Sequence, residues 1–254
     1  MPVNREQWRQ KFEELPHWMC PICGKGALIP IPDKLAIEET GTSKAEKSHE
    51  AWEPDWIRAR FAGFMQCSSQ SCGDVVAISG DSPVSVWEHQ DWDQHVQMVT
   101  HLYVVKSIFP APLPIKLPDA VPGNIERAVS SASALVWASS EAAGNALRQV
   151  VELFLTDVGI PEKSAKGGYI PTHNRIEKFQ NTDAENGDAL LAVKWLGNSS
   201  SHPGGLKRDD VLDAFDMIEF VFENRYGVAK ANLKAKIAAI NAAKGPTTSA
   251  PKGI

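Results

Sequence analysis

The chain has 254 residues, 43% of them hydrophobic and 22% charged, with a formal net charge of −5 and four cysteines. That is the composition of a globular protein with one large domain or two small ones. The acidic balance excludes a broadly basic nucleic-acid-binding surface, the lack of any apolar run of about 18 residues excludes a membrane-spanning helix, and four cysteines are too few for a secreted disulfide scaffold.

The first ten residues, MPVNREQWRQ, are polar and lack the apolar centre of a signal peptide, which predicts a cytoplasmic protein. Two cysteine pairs follow. The first is Cys20-Pro-Ile-Cys23-Gly24-Lys25-Gly26 and the second is Cys67-Ser-Ser-Gln-Ser-Cys72-Gly73. Zinc takes four tetrahedral ligands and binds thiolates well, and a short turn between paired cysteines aims two sulfurs at one ion. The glycine after each pair lets the chain turn tightly, so that backbone amides face the sulfurs. Arg58 to Gln66 leads into the second pair and Val75 to Ser79 leads out, which predicts a β-hairpin with the metal at its turn. Residues 1–107 thus read as a zinc-ribbon domain in which Cys20, Cys23, Cys67 and Cys72 hold a structural Zn2+, with four free thiols or a redox Cys-x-x-Cys as the alternatives. Four thiolates leave no open position for a catalytic water. His17 and His49 are expected at the surface, His89, His95 and His101 at the surface or half-buried, and Trp52, Trp56, Trp87 and Trp92 against the flanks of the ribbon.

Residues 108–123, IFPAPLPIKLPDAVPG, contain five prolines and predict an extended linker. Helical spacing then runs through residues 124–226. Asn124 is placed at the N-cap of a first helix bearing Ile125, Val129, Ala132 and Val136. A second starts near Ser140, carries Leu147, Val151 and Phe154, and stops at Gly159 and Pro161. Thr172 caps a short third helix. A fourth spans Asp188 to Leu196, and Arg208 to Tyr226 is the last long one. Five helices joined by short loops predict an antiparallel bundle. Residues 227–254 form an Ala/Lys-rich tail, helical or disordered, that ends in a disordered GPTTSAPKGI.

Two segments of the helical region carry further signals. Arg148 and Glu152 stand one helical turn apart and can pair. In Lys194-Trp-Leu-Gly-Asn-Ser-Ser-Ser-His202-Pro, a helix ends at Gly197, and Asn198 and His202 follow in a polar turn, either as a C-terminal cap or as part of a binding surface. The pattern of Leu-Arg-x3-Glu, then Trp-Leu-Gly-Asn-x3-His, then a long amphipathic helix resembles the bacterial domain of unknown function 4145, a family that looks like a branch of the HEPN superfamily of helical bundles. The resemblance covers about residues 110 to 226 and extends to the preceding zinc ribbon. It implies an α+β chain, in which a zinc ribbon of β-hairpins precedes an antiparallel HEPN-like α-helical bundle, and it implies a homodimer formed through that bundle.

Active HEPN proteins are metal-independent ribonucleases that use an arginine four to six residues before a histidine. In this chain the spacing that ends on His202 begins at Gly197, so the arginine that would hold the scissile phosphate is replaced by glycine. Three readings follow. The first is a zinc-binding, non-catalytic adaptor with Arg148, Glu152, Asn198 and His202 on a binding surface, in a restriction or phage-defence setting, its partner a protein or a nucleic acid. The second is a ribonuclease with a rearranged site at His202 and Asn198, helped by Lys194, Arg148 or Arg208. The third is a nucleic-acid sensor that reads through the ribbon with Arg58 and Arg60.

Overall fold

In Arg58–Cys67 the side chains of Ala59, Phe61, Met65 and Cys67 are buried, while Arg58, Arg60, Ala62 and Phe64 face outward. This is the period of two that a pleated strand imposes. That strand, β2, pairs antiparallel with β1 (Leu28–Glu39) on one side and with β3 (Val75–Asp91) on the other. The structure is a computed structural model that describes residues 3–91, 94–199 and 205–245.

β3 is the spine of the sheet. Its first part lies between β2 and β5 (Val104–Phe109), with which Ala77 to Asp81 pair. From Val84 onward it pairs with β4 (Gln94–His101), forming a two-stranded ribbon that runs out from the sheet. β1 is interrupted by a bulge between Pro30 and Leu35, within which Asp33 takes a φ of 62°. A short helix, α1 (Gly41–Glu46), joins β1 to β2, and Thr40 caps it by accepting from the Ser43 amide. The expected hairpin on either side of Cys67 and Cys72 is the β2–β3 pair, built into a five-stranded antiparallel sheet.

The helices follow as α2 (Gly123–Leu135), α3 (Ser140–Asp157), α4 (Thr172–Gln180), α5 (Ala184–Ser199), α6 (Arg208–Tyr226) and α7 (Val228–Ala243). Ser139 caps α3 through the Ala142 amide at 3.1 Å, and Gly159 closes it at a φ of 86°. Three boundaries differ from expectation. Pro122, with φ already near the helical value, holds the N-cap of α2, so Asn124 lies inside its first turn. Pro171 likewise precedes α4, and the Thr172 hydroxyl turns away to donate to Glu152. α5 begins at Ala184 and continues to Ser199, so Gly197 does not end it.

The tail is helical to Ala243, and residues 246–254 lie outside the described residues. Among the described residues no helix is long and apolar enough to cross a membrane.

One buried cluster runs from the sheet into the helices. At its centre Trp137, after α2, stacks on Trp8 with ring centroids 4.7 Å apart and meets the edge of Trp18 at 5.3 Å. The Arg208 guanidinium lies over the Trp137 ring and donates to the carbonyls of Trp8 and Arg9. Arg5 pairs with Asp213 and Asp216 on α6. The segment ahead of the first cysteines is therefore stapled to the helical part. The proline-rich segment is packed as well: Ala111, Ile115 and Val121 are buried, and Ser133 donates to the Pro112 carbonyl at 2.6 Å. It is a strap laid on the helices rather than a free tether, and β5 takes up its first two residues.

Candidate metal centre

The two cysteine pairs meet where β1 and β2 join the N-terminal segment. The Leu28 amide donates to the Trp18 carbonyl and the Ser68 amide to the Ala27 carbonyl, which lays the first turn beside the end of β2. Each turn closes in the same way. The Gly24 amide donates to the Cys20 carbonyl and the Gly73 amide to the Ser69 carbonyl. Gly24 and Gly73 both sit at a φ of 60°, a left-handed conformation that favours glycine.

The ligand atoms of Cys20, Cys23, Cys67 and Cys72 all lie within 4.8 Å of one another. Cys20 Sγ and Cys72 Sγ are 4.0 Å apart, and Cys23 Sγ and Cys67 Sγ are 3.6 Å apart. Four sulfurs about 2.3 Å from a tetrahedral ion are about 3.8 Å from each other, so the donor set fits a metal of zinc's size and preference. All four are free cysteines, Cys20 and Cys67 being buried. Backbone amides face two of the sulfurs: Gly26 donates to Cys23 Sγ at 3.5 Å and Ser69 to Cys67 Sγ at 3.4 Å.

The electrostatics ask for a cation. The Gly26 and Lys25 amides pull the Cys23 thiol down to about 6. The Ser69 amide acts the same way on Cys67, but burial and the neighbouring cysteines outweigh it and push that thiol up to about 12. Cys72 is raised too, against the pull of the Asp74 amide, by burial and by Cys23. One thiolate forms readily, and its charge then opposes the others until a cation compensates.

Gly26 completes the centre, although its part was not read from the sequence. A Cβ added there would clash with Cys67 Sγ and lie 2.8 Å from the Ser69 nitrogen. Only a glycine lets the first turn approach the second this closely. The sequence signal was present in the Cys-x2-Cys-Gly-x-Gly spacing, whose second glycine has no turn to explain it.

The other candidate residues lie on the helices. Glu152 accepts from Thr172 Oγ1 at 2.6 Å, and among the ion pairs of the described residues there is none between it and Arg148. The expected pairing is replaced by a different contact. Arg148 reaches across to α5, where its Cγ and Cδ stand 2.5 and 2.6 Å from the place a Gly197 Cβ would occupy. Gly144 and Gly197 let α3 and α5 approach, and the Arg148 stem fills the space above. Its Nε is buried and has no hydrogen-bond partner among the described residues. Asn198 is half-buried in the last turn of α5, and His202 lies outside the described residues. Of the other basic residues considered beside it, Arg208 is held by the Trp8 and Arg9 carbonyls, and the Lys194 amino group sits 3.5 Å from the centroid of the Trp195 ring.

Residues 130–243 match the family described as Domain of unknown function (DUF4145). The helical region from residue 130 onward is similar to that family. Residues 10–106, which include all four cysteines, match a second family, described as Domain of unknown function (DUF8608). No curated protein and no solved structure matches the chain. The DUF4145 match takes in α7 and begins beyond the proline-rich strap, so the domain extends further at its C-terminal end than the resemblance of residues 110 to 226 indicated.

Proposed function

We propose that this chain is a zinc-dependent, non-catalytic binding protein, in which a four-cysteine zinc ribbon built into the sheet holds the fold and a HEPN-like bundle formed by the DUF4145 domain serves recognition. One observation carries the reading. Among the described residues the only cluster able to hold a metal is Cys20, Cys23, Cys67 and Cys72. Bound there, zinc would cross-link the N-terminal turn to the β2–β3 hairpin, and four thiolates would leave it no position for water or substrate. Purified protein is expected to contain one zinc per chain, to lose its near-ultraviolet circular dichroism on chelation, and to leave RNA intact. Metal-free protein with an unchanged spectrum would overturn the structural-zinc reading, and turnover of RNA would overturn the non-catalytic one.

Pairing of two copies through the bundle belongs to the same proposal and is supported by the family resemblance, with sedimentation as its test. A setting in restriction or phage defence has the same support and is tested by phage plating with and without the gene.

A second reading is favoured by Arg148. Its side chain covers Gly197, so a guanidinium from α3 stands beside the position where the resemblance expects an arginine. A ribonuclease assembled from Arg148, Asn198 and His202 would lose RNA cleavage in both Arg148→Ala and His202→Ala. Cleavage that survives either change would dismiss that site.

A further inference from the structure

On the sheet face turned away from the buried cluster, two phenyl rings stand in the open. Phe64 on β2 is 46% exposed and Phe109 on β5 is 74% exposed. Burying a phenylalanine stabilises a fold by about 1.5–3 kcal/mol, so two left in water on the strands either side of β3 call for an explanation. The register supplies one. Phe64 is opposite Ala77 of β3, and Ala77 is opposite Phe109. The rings therefore rise from one row of the sheet with a methyl group between them. Neighbouring strands lie about 4.8 Å apart, so the two rings spring from backbones about 10 Å apart. A flat ring in contact with both faces needs about 7–8 Å between them, so the space admits one planar ring. Among the described residues neither phenyl ring is engaged with another aromatic side chain.

The rest of the cavity, of about 350 Å³, suits such a guest. Besides the buried Ile78, its floor and walls are Ala62, Gly63, Ala77, Ser79 and Ser107, small residues that leave the space between the rings clear and present two hydroxyls. The charged residue on its lining is a cation, Lys34. The β1 bulge brings it there: Asp33 at its positive φ turns the strand, and the Lys34 carbonyl presses so close on Gly63 that a Cβ at Gly63 would collide with it. Further along the same face Arg60 and Lys106 share the single carboxylate of Asp81, at 3.2 and 3.9 Å.

The geometry points to a binding site for single-stranded nucleic acid in which one base inserts between Phe64 and Phe109 over Ala77 and its phosphate meets Lys34. This gives a ligand class to the non-catalytic binding reading and rests on it. A protein partner fits less well, because a slot one ring wide with a floor of small residues offers little continuous apolar area. The sheet uses stacking rather than a basic groove, in keeping with a chain of net charge −5.

The test is fluorescence anisotropy of a labelled single-stranded oligonucleotide with the full zinc-loaded chain. Phe64→Ala and Phe109→Ala are each expected to weaken binding about 5–150-fold, the range that loss of one base–aromatic stack gives. Lys34→Gln should lower the salt dependence by about one phosphate. An oligonucleotide without bases and the matching duplex should not compete. Ala77→Leu, which fills the slot without removing a ring, should abolish binding if the phenylalanine variants fold poorly.

Four outcomes overturn the site: binding indifferent to Phe64, Phe109 and Ala77; equal binding of the abasic strand; a mononucleotide that competes as well as the strand; or no binding together with altered self-association in the variants, which would mark a protein contact. Cutting of the oligonucleotide would instead refute the non-catalytic reading, leaving the slot to be judged by its variants.

Discussion

Gly26→Ala tests the metal centre without touching a ligand. The new Cβ would clash with Cys67 Sγ and stand 2.8 Å from the Ser69 nitrogen and 3.0 Å from Ser69 Cβ. Ordinary contacts require about 3.5 Å or more, so the end of β2 must retreat by about 1 Å. Metal–ligand distances tolerate changes of about 0.2 Å, so the four sulfurs cannot keep their spacing. Disturbing the supports of a metal site costs about 10–100-fold in affinity, or about 1.4–2.8 kcal/mol. A structural zinc contributes on the order of 10 kcal/mol, so the variant should still bind zinc, but less tightly. Competition for zinc against a chromophoric chelator reads the change directly. Gly24→Asn is the control: at a φ of 60° with nothing within 4 Å of a Cβ, asparagine fits the left-handed turn. The reasoning fails if Gly26→Ala holds zinc as tightly as the unaltered chain, or if Gly24→Asn is the weaker of the two.

Three further outcomes are expected. Zinc affinity should rise by at least about two log units per pH unit near neutrality, because the raised Cys67 and Cys72 thiols must each give up a proton to bind the ion, while Cys23 is already pulled down to about 6. Chelator competition across that pH range would contradict this with a slope of one or less. Gly197→Ala should destabilise by about 1–3 kcal/mol in urea unfolding by driving the Arg148 stem off α5, and Arg148→Ala in the same chain should recover most of the loss. Additive costs would show that the two sites do not touch. Trp137→Ala should cost about 3–5 kcal/mol, since it removes the ring on which Trp8, Trp18 and Arg208 converge. A loss below about 1 kcal/mol would mean that the N-terminal staple contributes little.

What could be read from the sequence was local. Cysteine spacing and the glycines behind it follow from the reach of one turn, so the hairpin around Cys67 and Cys72 and the left-handed Gly24 and Gly73 were legible. Helical spacing placed α3 and α6 within a residue of their bounds. What escaped depends on neighbours distant in the chain. Gly197 looks like a helix stop, yet it continues α5 because glycine is needed there for the approach of α3 and Arg148. Five prolines concealed that Ile108 and Phe109 end a strand, since β5 lies ahead of the first proline and its pairing partner is β3. Trp8, Trp18 and Trp137 come from segments more than 100 residues apart, and no period in the sequence relates them.

The metal and the aromatic slot share a frame. Cys67 ends β2 three residues after Phe64, and Cys72 precedes β3 five residues before Ala77. The turn that zinc would clamp is therefore the turn that sets Phe64 against Ala77. Phe109 is held to the same row by β5, which pairs with β3 independently of the cysteines. Removing zinc frees one wall of the slot while leaving the other, so chelation should weaken oligonucleotide binding at least as much as Phe64→Ala does. In Phe64→Ala protein, where that wall is already missing, chelation should have much less effect. Binding measured with and without chelator on both proteins closes a double-mutant cycle. Equal losses in the two would separate the metal from the slot and assign zinc to the stability of the fold alone.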